Sequence, residues 1–159
     1  MKFIVSKKII DNRALYVSVL WMVLFLIIAL ALSVIAKGID FGITPDLWSS
    51  HILGNEAEFS EPLAMKDLLL TLHTELFGLI LIFILISALL MRTSRAKELK
   101  MAILVTASIA LLLYPIGVLS SLVGGSFTIL IAWGGFLAFH LVMVGSSVDI
   151  LILLLRKQL

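Results

Sequence analysis

The sequence predicts an all-α integral membrane protein, a four-helix bundle with both termini cytoplasmic. Hydrophobic residues make up 62% of the 159 residues and charged residues only 14%, against about 45–50% and about 25% in an ordinary soluble domain. A soluble fold of this length would leave large apolar patches in water, whereas a lipid bilayer accepts apolar surface on every side. The bilayer is therefore the first partner that the composition predicts.

Four apolar stretches are long enough to cross the membrane. A hydrocarbon core about 30 Å thick needs about 20 apolar residues in helical form, and the sequence reaches this length at 15–36, 68–91, 101–122 and 127–155. The link between the last two stretches is so short that their helices are expected to form an antiparallel hairpin. The whole chain, 1–159, is then a single membrane domain with one longer loop at 37–67.

The basic residues predict how the bundle is oriented. Of the 12 lysine and arginine residues, all except Lys37 and Lys66 flank the apolar stretches on one side. The loop 37–67 lies on the other side and is rich in aspartate and glutamate. Since basic residues are enriched in cytoplasmic loops, this loop is expected on the outer face and both termini in the cytoplasm. The short loops favour the cytoplasmic (inner) membrane of a bacterium, and the basic clusters indicate topology and not nucleic-acid binding.

Two histidines fall inside the predicted spans. His73 lies 19 residues before Arg92 and His140 lies 16 residues before Arg156, which at 1.5 Å per residue is roughly 28 Å and 24 Å. Both imidazoles are therefore expected at a similar depth, toward the outer leaflet. Ionisable side chains in a bilayer usually face the bundle interior and have a partner. Two imidazoles at matched depth indicate a shared haem iron, copper or zinc ion.

Apolar side chains on the same helical faces could enclose a haem. The face of His73 carries Phe77, and the face of His140 carries Phe136 and Met143, so these three side chains are candidate walls for a flat apolar ring. At the outer end, Lys37, Lys66 and His51 are the groups able to meet its propionates.

A small bundle with histidines on two spans resembles the membrane-bound b-type cytochromes, whose haem is held by histidines of facing helices. The segment His73–Gly78 (HTELFG) is also similar to the histidine-bearing second helix of haem–copper oxidase-like proteins. The resemblance implies one haem b with His73 and His140 as axial ligands. It further implies electron transfer, with quinol or a redox partner protein at the outer face.

Two other functions fit the same residues. One is a cofactor-free membrane subunit that packs with and anchors a larger complex, in which both histidines can be replaced without loss of assembly. The other is a copper-handling protein with His51, His73 and His140 as ligands and Met143 one turn below His140.

Two carboxylates inside the spans have separate expected roles. Glu75 is two residues from His73, about 200° around the helix, and so points away from the histidine face. It is expected to be an interfacial carboxylate or a proton-exchanging group near a quinone. Asp149 is expected to make a structural or subunit contact near the cytoplasmic boundary.

Several classes of site are excluded by the residues present. The chain has no cysteine, which excludes disulfides, thiolate metal sites, iron–sulfur clusters and thioether-attached haem. No phosphate-binding glycine loop, HExxH motif or nucleophile elbow occurs in the sequence. The chain is thus expected to be an electron-transfer subunit more than an enzyme by itself.

Overall fold

Four long helices and one short helix make up the part of the protein that the structure describes. The computed structural model describes Ile9 and residues 12–157, so the basic residues Lys2, Lys7 and Lys8 lie outside it. The helices are α1 (Arg13–Asp40), α2 (Pro45–Leu53), α3 (Met65–Arg92), α4 (Lys97–Gly124) and α5 (Ser126–Leu155). All except α2 are long and apolar enough to cross a membrane, which confirms the four predicted spans.

The helix α2 lies in the segment that the sequence predicts only as a loop. Its first turn begins at Pro45 after Thr44, whose hydroxyl accepts a hydrogen bond from the Leu47 amide, as an N-cap does. Trp48 and Ile52, one turn apart, are buried, whereas most of the other residues of α2 are more exposed. The short helix therefore lies with one face against the end of the bundle.

The helix α5 is the centre of the bundle, because it packs against α1, α2, α3 and α4. Its most extensive contact is with α4, to which it is joined by Gly125 alone. Gly125 has φ 63° and ψ −153°, a conformation that is open essentially only to glycine. The predicted hairpin of the last two spans is confirmed, with a tighter turn than the sequence suggests.

Small residues allow α4 and α5 to approach closely. A Cβ atom placed on Gly135 of α5 would lie 2.9 Å from both the Ala110 carbonyl oxygen and the Tyr114 amide nitrogen of α4. On α4, a Cβ atom at Gly117 would lie 2.6 Å from the Ala132 nitrogen. Close backbone contact of this kind is a main source of helix association in a membrane, where lipid competes for every apolar side chain.

We expect Gly135→Ala to destabilise the protein and Gly134→Ala to leave it as stable or make it more stable. A Cβ atom at Gly134 meets nothing within 4 Å, so that alanine gains up to about 1 kcal/mol of helix propensity. At Gly135 the same methyl group forces α4 and α5 apart, at a cost of about 1–3 kcal/mol. Thermal unfolding of the two detergent-purified variants gives the comparison, and equal midpoints would contradict the close packing of α4 and α5.

Candidate functional site

An ion pair lies inside the bundle at the end covered by α2. The ammonium Nζ of Lys37, in the last turn of α1, lies 2.7 Å from Oε1 of Glu75 on α3. The Lys37 side chain is 4% exposed and that of Glu75 is 26% exposed. The hydroxyl of Tyr114 on α4 donates a hydrogen bond to the other carboxylate oxygen, Oε2. Three helices are thus joined at one carboxylate.

Three aromatic rings surround the Lys37 ammonium. Its nitrogen lies 3.5 Å from the ring centroid of Phe41, 5.2 Å from that of Trp48 and 5.5 Å from that of Tyr114. A cation over the face of an aromatic ring is attracted by the ring quadrupole, most strongly where water is excluded. We refer to Phe41, Trp48, Tyr114 and Glu75 as the ammonium cage, with Lys37 as its occupant.

Local structure around α2 explains how the cage is assembled. Phe41 directly follows α1, and the indole N–H of Trp48 donates a 2.8 Å hydrogen bond to the Gly42 carbonyl oxygen. The indole N–H of Trp133 on α5 donates to the Ile43 carbonyl oxygen at 3.3 Å. The turn between α1 and α2 is therefore held from two sides. Lys37 also lies at a helix C-terminus, where the backbone carbonyls favour a positive charge.

His140 lies in the interior of the bundle and both of its ring nitrogens have partners. Nδ1 is 2.8 Å from the Phe136 carbonyl oxygen and Nε2 is 3.1 Å from the Ser33 hydroxyl of α1. A carbonyl oxygen can only accept, so Nδ1 donates to Phe136. His140 is thus hydrogen-bonded to α1 and to its own helix. Phe136 and Met143 are buried beside it, as the sequence predicts.

His73 does not face the interior. Its side chain is exposed, and Phe77 one turn further along α3 is 71% exposed. Glu75, about 200° from His73 around the helix, occupies the inward face instead. The expectation that His73 and Phe77 line the interior is therefore wrong, because the opposite face of α3 is the inner one.

The residues do not fit a haem held between α3 and α5. His73 is on the outer face of α3, while the iron-binding nitrogen of His140 is already bonded to Ser33. Within residues 12–157, no hydrogen bond or ring contact joins the two histidines, and no three His, Asp or Glu side chains are grouped as a metal site. His51 stacks on Phe41 at 4.4 Å, at the covered end of the bundle. Haem b and copper therefore stay predictions from the sequence that this geometry does not support.

The second candidate carboxylate has a partner at the opposite end of the bundle. Asp149 of α5 accepts a 2.9 Å hydrogen bond from Nε of Arg95, in the turn between α3 and α4, and a second bond from the same guanidinium. The expected structural contact of Asp149 is confirmed. An ion pair thus lies toward each end of the bundle, the enclosed Lys37–Glu75 pair at one end and the more exposed Arg95–Asp149 pair at the other.

We expect the detergent-purified protein, from cells supplied with haem precursor, to show no b-type signal in a reduced-minus-oxidised visible spectrum. The physical reason is that His73 and His140 are not presented to one interior space. His73→Ala and His140→Ala are the matched variants for this measurement. A haem signal that disappears in both variants would contradict the arrangement of α3 and α5 described above.

Comparison with known proteins gives one match. Residues 42–159 match a family model described as a transmembrane helical domain. No curated protein and no solved structure matches the chain. The matched segment contains α2 to α5, and with them Glu75, Tyr114 and His140, whereas Lys37 and Ser33 of α1 precede it. Because the match covers well over half of the chain, the protein belongs to the Aq_1264_TM family of transmembrane helical domains.

Proposed function

We propose that the protein is a membrane cation transporter in which Glu75 is the cation-binding carboxylate. The observation that carries the proposal is the Lys37–Glu75 ion pair inside the membrane-spanning bundle. Ionisable residues within spans are costly, and where they occur they commonly mark ion pathways. In this proposal the Lys37 ammonium group pairs with Glu75 when no external cation is bound.

A purely structural explanation of the pair is energetically weak. Two charges removed from water lose several kcal/mol of hydration each, and a well-packed apolar pair of similar volume is often as stable or more stable. A carboxylate that exchanges one cation for another needs to keep its charge, so exchange accounts for an arrangement that packing alone does not favour. The 26% exposure of Glu75 gives it a route to the surface.

Polar groups continue between the two ion pairs. His140 with Ser33 lies deeper than Lys37, and Ser147 follows two turns further along α5 before Asp149. On α3, the hydroxyl of Ser87 is enclosed and has no hydrogen-bond partner within the described residues. Enclosed hydroxyls without a partner often adjoin water or an ion. We propose that these groups line the route of the cation from Glu75 toward the Arg95–Asp149 pair, which requires the packed helices between them to move apart.

The direction of loading follows from the proposed orientation. Positive residues at the other end of the bundle favour the cytoplasm for that end. In this orientation α2 and the ammonium cage would lie at the outer face of the cytoplasmic membrane. An external cation would then meet Glu75 before any other carboxylate within the spans.

Single-cysteine labelling tests this orientation, because the chain has no cysteine of its own. We expect Glu61→Cys, in the loop before α3, to react in intact cells with a maleimide that does not cross membranes. Lys157→Cys, at the end of α5, is expected to react only after the cells are permeabilised. Both native side chains are exposed on the protein, so the reaction depends only on which side of the membrane each residue lies. Labelling of Lys157→Cys in intact cells would show that the orientation is the opposite of the one proposed.

Transport is tested with proteoliposomes on a solid-supported membrane, by recording currents after jumps in proton, potassium or propylammonium concentration. We expect the wild-type protein to give a current for at least one of these cations and Glu75→Gln to give none, because the amide carries no charge. Asp46→Asn is the matched control, since Asp46 of α2 is an exposed carboxylate at the same end.

The same recording decides against transport if the wild-type protein gives no current above that of empty vesicles. That outcome would favour the other function that the sequence allows, a membrane subunit that packs with and anchors a larger complex. A current that survives in Glu75→Gln would show that the cation is carried at another site.

A further inference from the structure

We infer that the ammonium cage is a binding site for a primary alkylammonium ion, with Lys37 as an internal competitor for it. The inference rests on the proposed function in so far as Glu75 must release Lys37 before a ligand enters. It adds the chemical class of the cation, which the ion pair alone does not specify.

The geometry of the cage selects an ammonium group attached to an alkyl chain. The nitrogen of Lys37 has one carboxylate oxygen at 2.7 Å and an aromatic ring at 3.5 Å. Aromatic rings lining a cage are the usual means of recognising organic ammonium ions. Hard metal cations instead require several oxygen ligands, and the cage supplies only the Glu75 carboxylate and the Tyr114 hydroxyl.

The hydrogen bonds that Glu75 already accepts disfavour a guanidinium ligand. Guanidinium is bound best by both oxygens of one carboxylate, in a parallel pair of hydrogen bonds. Here Oε2 of Glu75 already accepts from the Tyr114 hydroxyl, which leaves Oε1 for the cation. A single accepting oxygen suits an ammonium group, which behaves as a compact point charge.

The occupant and most of the cage come from different parts of the chain. Trp48, Glu75 and Tyr114 lie in the segment that matches the family model, whereas Lys37 lies in α1, which precedes that segment. The carboxylate and the Trp48 and Tyr114 rings therefore lie in elements other than the helix that carries the ammonium group.

A cleft on the α2 side is separated from the cage by the Phe41 ring. The cleft, of about 530 Å³, lies between the end of α1, α2 and the segment before α3, and it is lined by Asp40, His51, Glu61 and Phe41 among others. Phe41 is the shared wall, because its ring also lies 3.5 Å from the Lys37 nitrogen. Two carboxylates at the mouth raise the local concentration of cations, and rotation of Phe41 would connect cleft and cage.

Chemical rescue tests the cage directly. Lys37→Ala removes a fragment equal in size to propylammonium, and we expect added propylammonium to raise the thermal midpoint of the purified variant saturably. Propanol, of similar size without the charge, is expected to bind about tenfold more weakly or worse, since hydrogen bonds to a charged group contribute about 1.5–3 kcal/mol. Lys66→Ala, which removes an exposed lysine at the start of α3, is the matched control and should show no rescue.

Two further variants make the result decisive. Lys37→Met keeps the space filled without the charge and should not respond to propylammonium, and Lys37→Ala combined with Glu75→Gln should lose the response. If Lys37→Ala does not accumulate, propylammonium in the growth medium is expected to restore its yield. Equal rescue of Lys37→Ala and Lys37→Met, or equal rescue by potassium, guanidinium and propylammonium, would overturn the inference.

The two proposals fail separately. Rescue of Lys37→Ala together with an absence of wild-type current would confirm the cage and reject transport. A proton or potassium current without any rescue by propylammonium would keep transport and reject the alkylammonium site.

Discussion

The position of α1 depends on the ion pair between Lys37 and Glu75. Helix α1 packs mainly against α5 and leaves an apolar groove of about 600 Å³ between itself and α3. The pair links the two helices beyond one end of that groove, and removal of one partner would leave an uncompensated charge at a cost of about 3–5 kcal/mol. The same charge makes Phe41, Trp48 and Tyr114 converge, so the covered end of the bundle is organised around one ammonium nitrogen.

Aromatic rings fill the interior of the bundle beneath α2. Trp48, Tyr114 and Phe136 pack edge to face, with ring centroids 5.5–6.3 Å apart, and His140 lies 4.1 Å from Phe136. Each of these contacts is of the favourable tilted or edge-to-face kind. Glycines on α4 and α5 then bring the backbones within contact below the rings. The interior is filled by the protein's own side chains, and the larger open spaces lie at its surface.

Much of the fold follows from composition, because length and hydropathy alone locate the four spans and the short link between α4 and α5. Hydropathy does not show which face of α3 points into the bundle, since apolar residues lie on all sides of the helix. Polar residues also occur on two opposite faces, at His73 and at Glu75. The buried series Leu68, Leu72, Leu79 and Ile86 passes through Glu75 at helical spacing, while Leu70 and Phe77 beside His73 are exposed. Lipid can surround either series of apolar residues, so tertiary packing alone determines which series faces the bundle interior. The charges carry more information than the apolar pattern, because Lys37, in the last turn of α1, and Glu75, in the first half of α3, flank the same loop between two consecutive spans.

A single face of α1 satisfies two polar groups of the matched family segment. Lys37 and Ser33 are four residues apart, one helical turn, and they reach Glu75 and His140 respectively. A shift of α1 by one residue would rotate both side chains by about 100° and separate both pairs at once. The register of α1 is thus fixed at two depths by hydrogen bonds that cannot be replaced by water within the bilayer. Release of Lys37 by an external cation would leave only the Ser33–His140 bond to hold that register, so cation binding at Glu75 and movement of α1 are coupled through the same helical face.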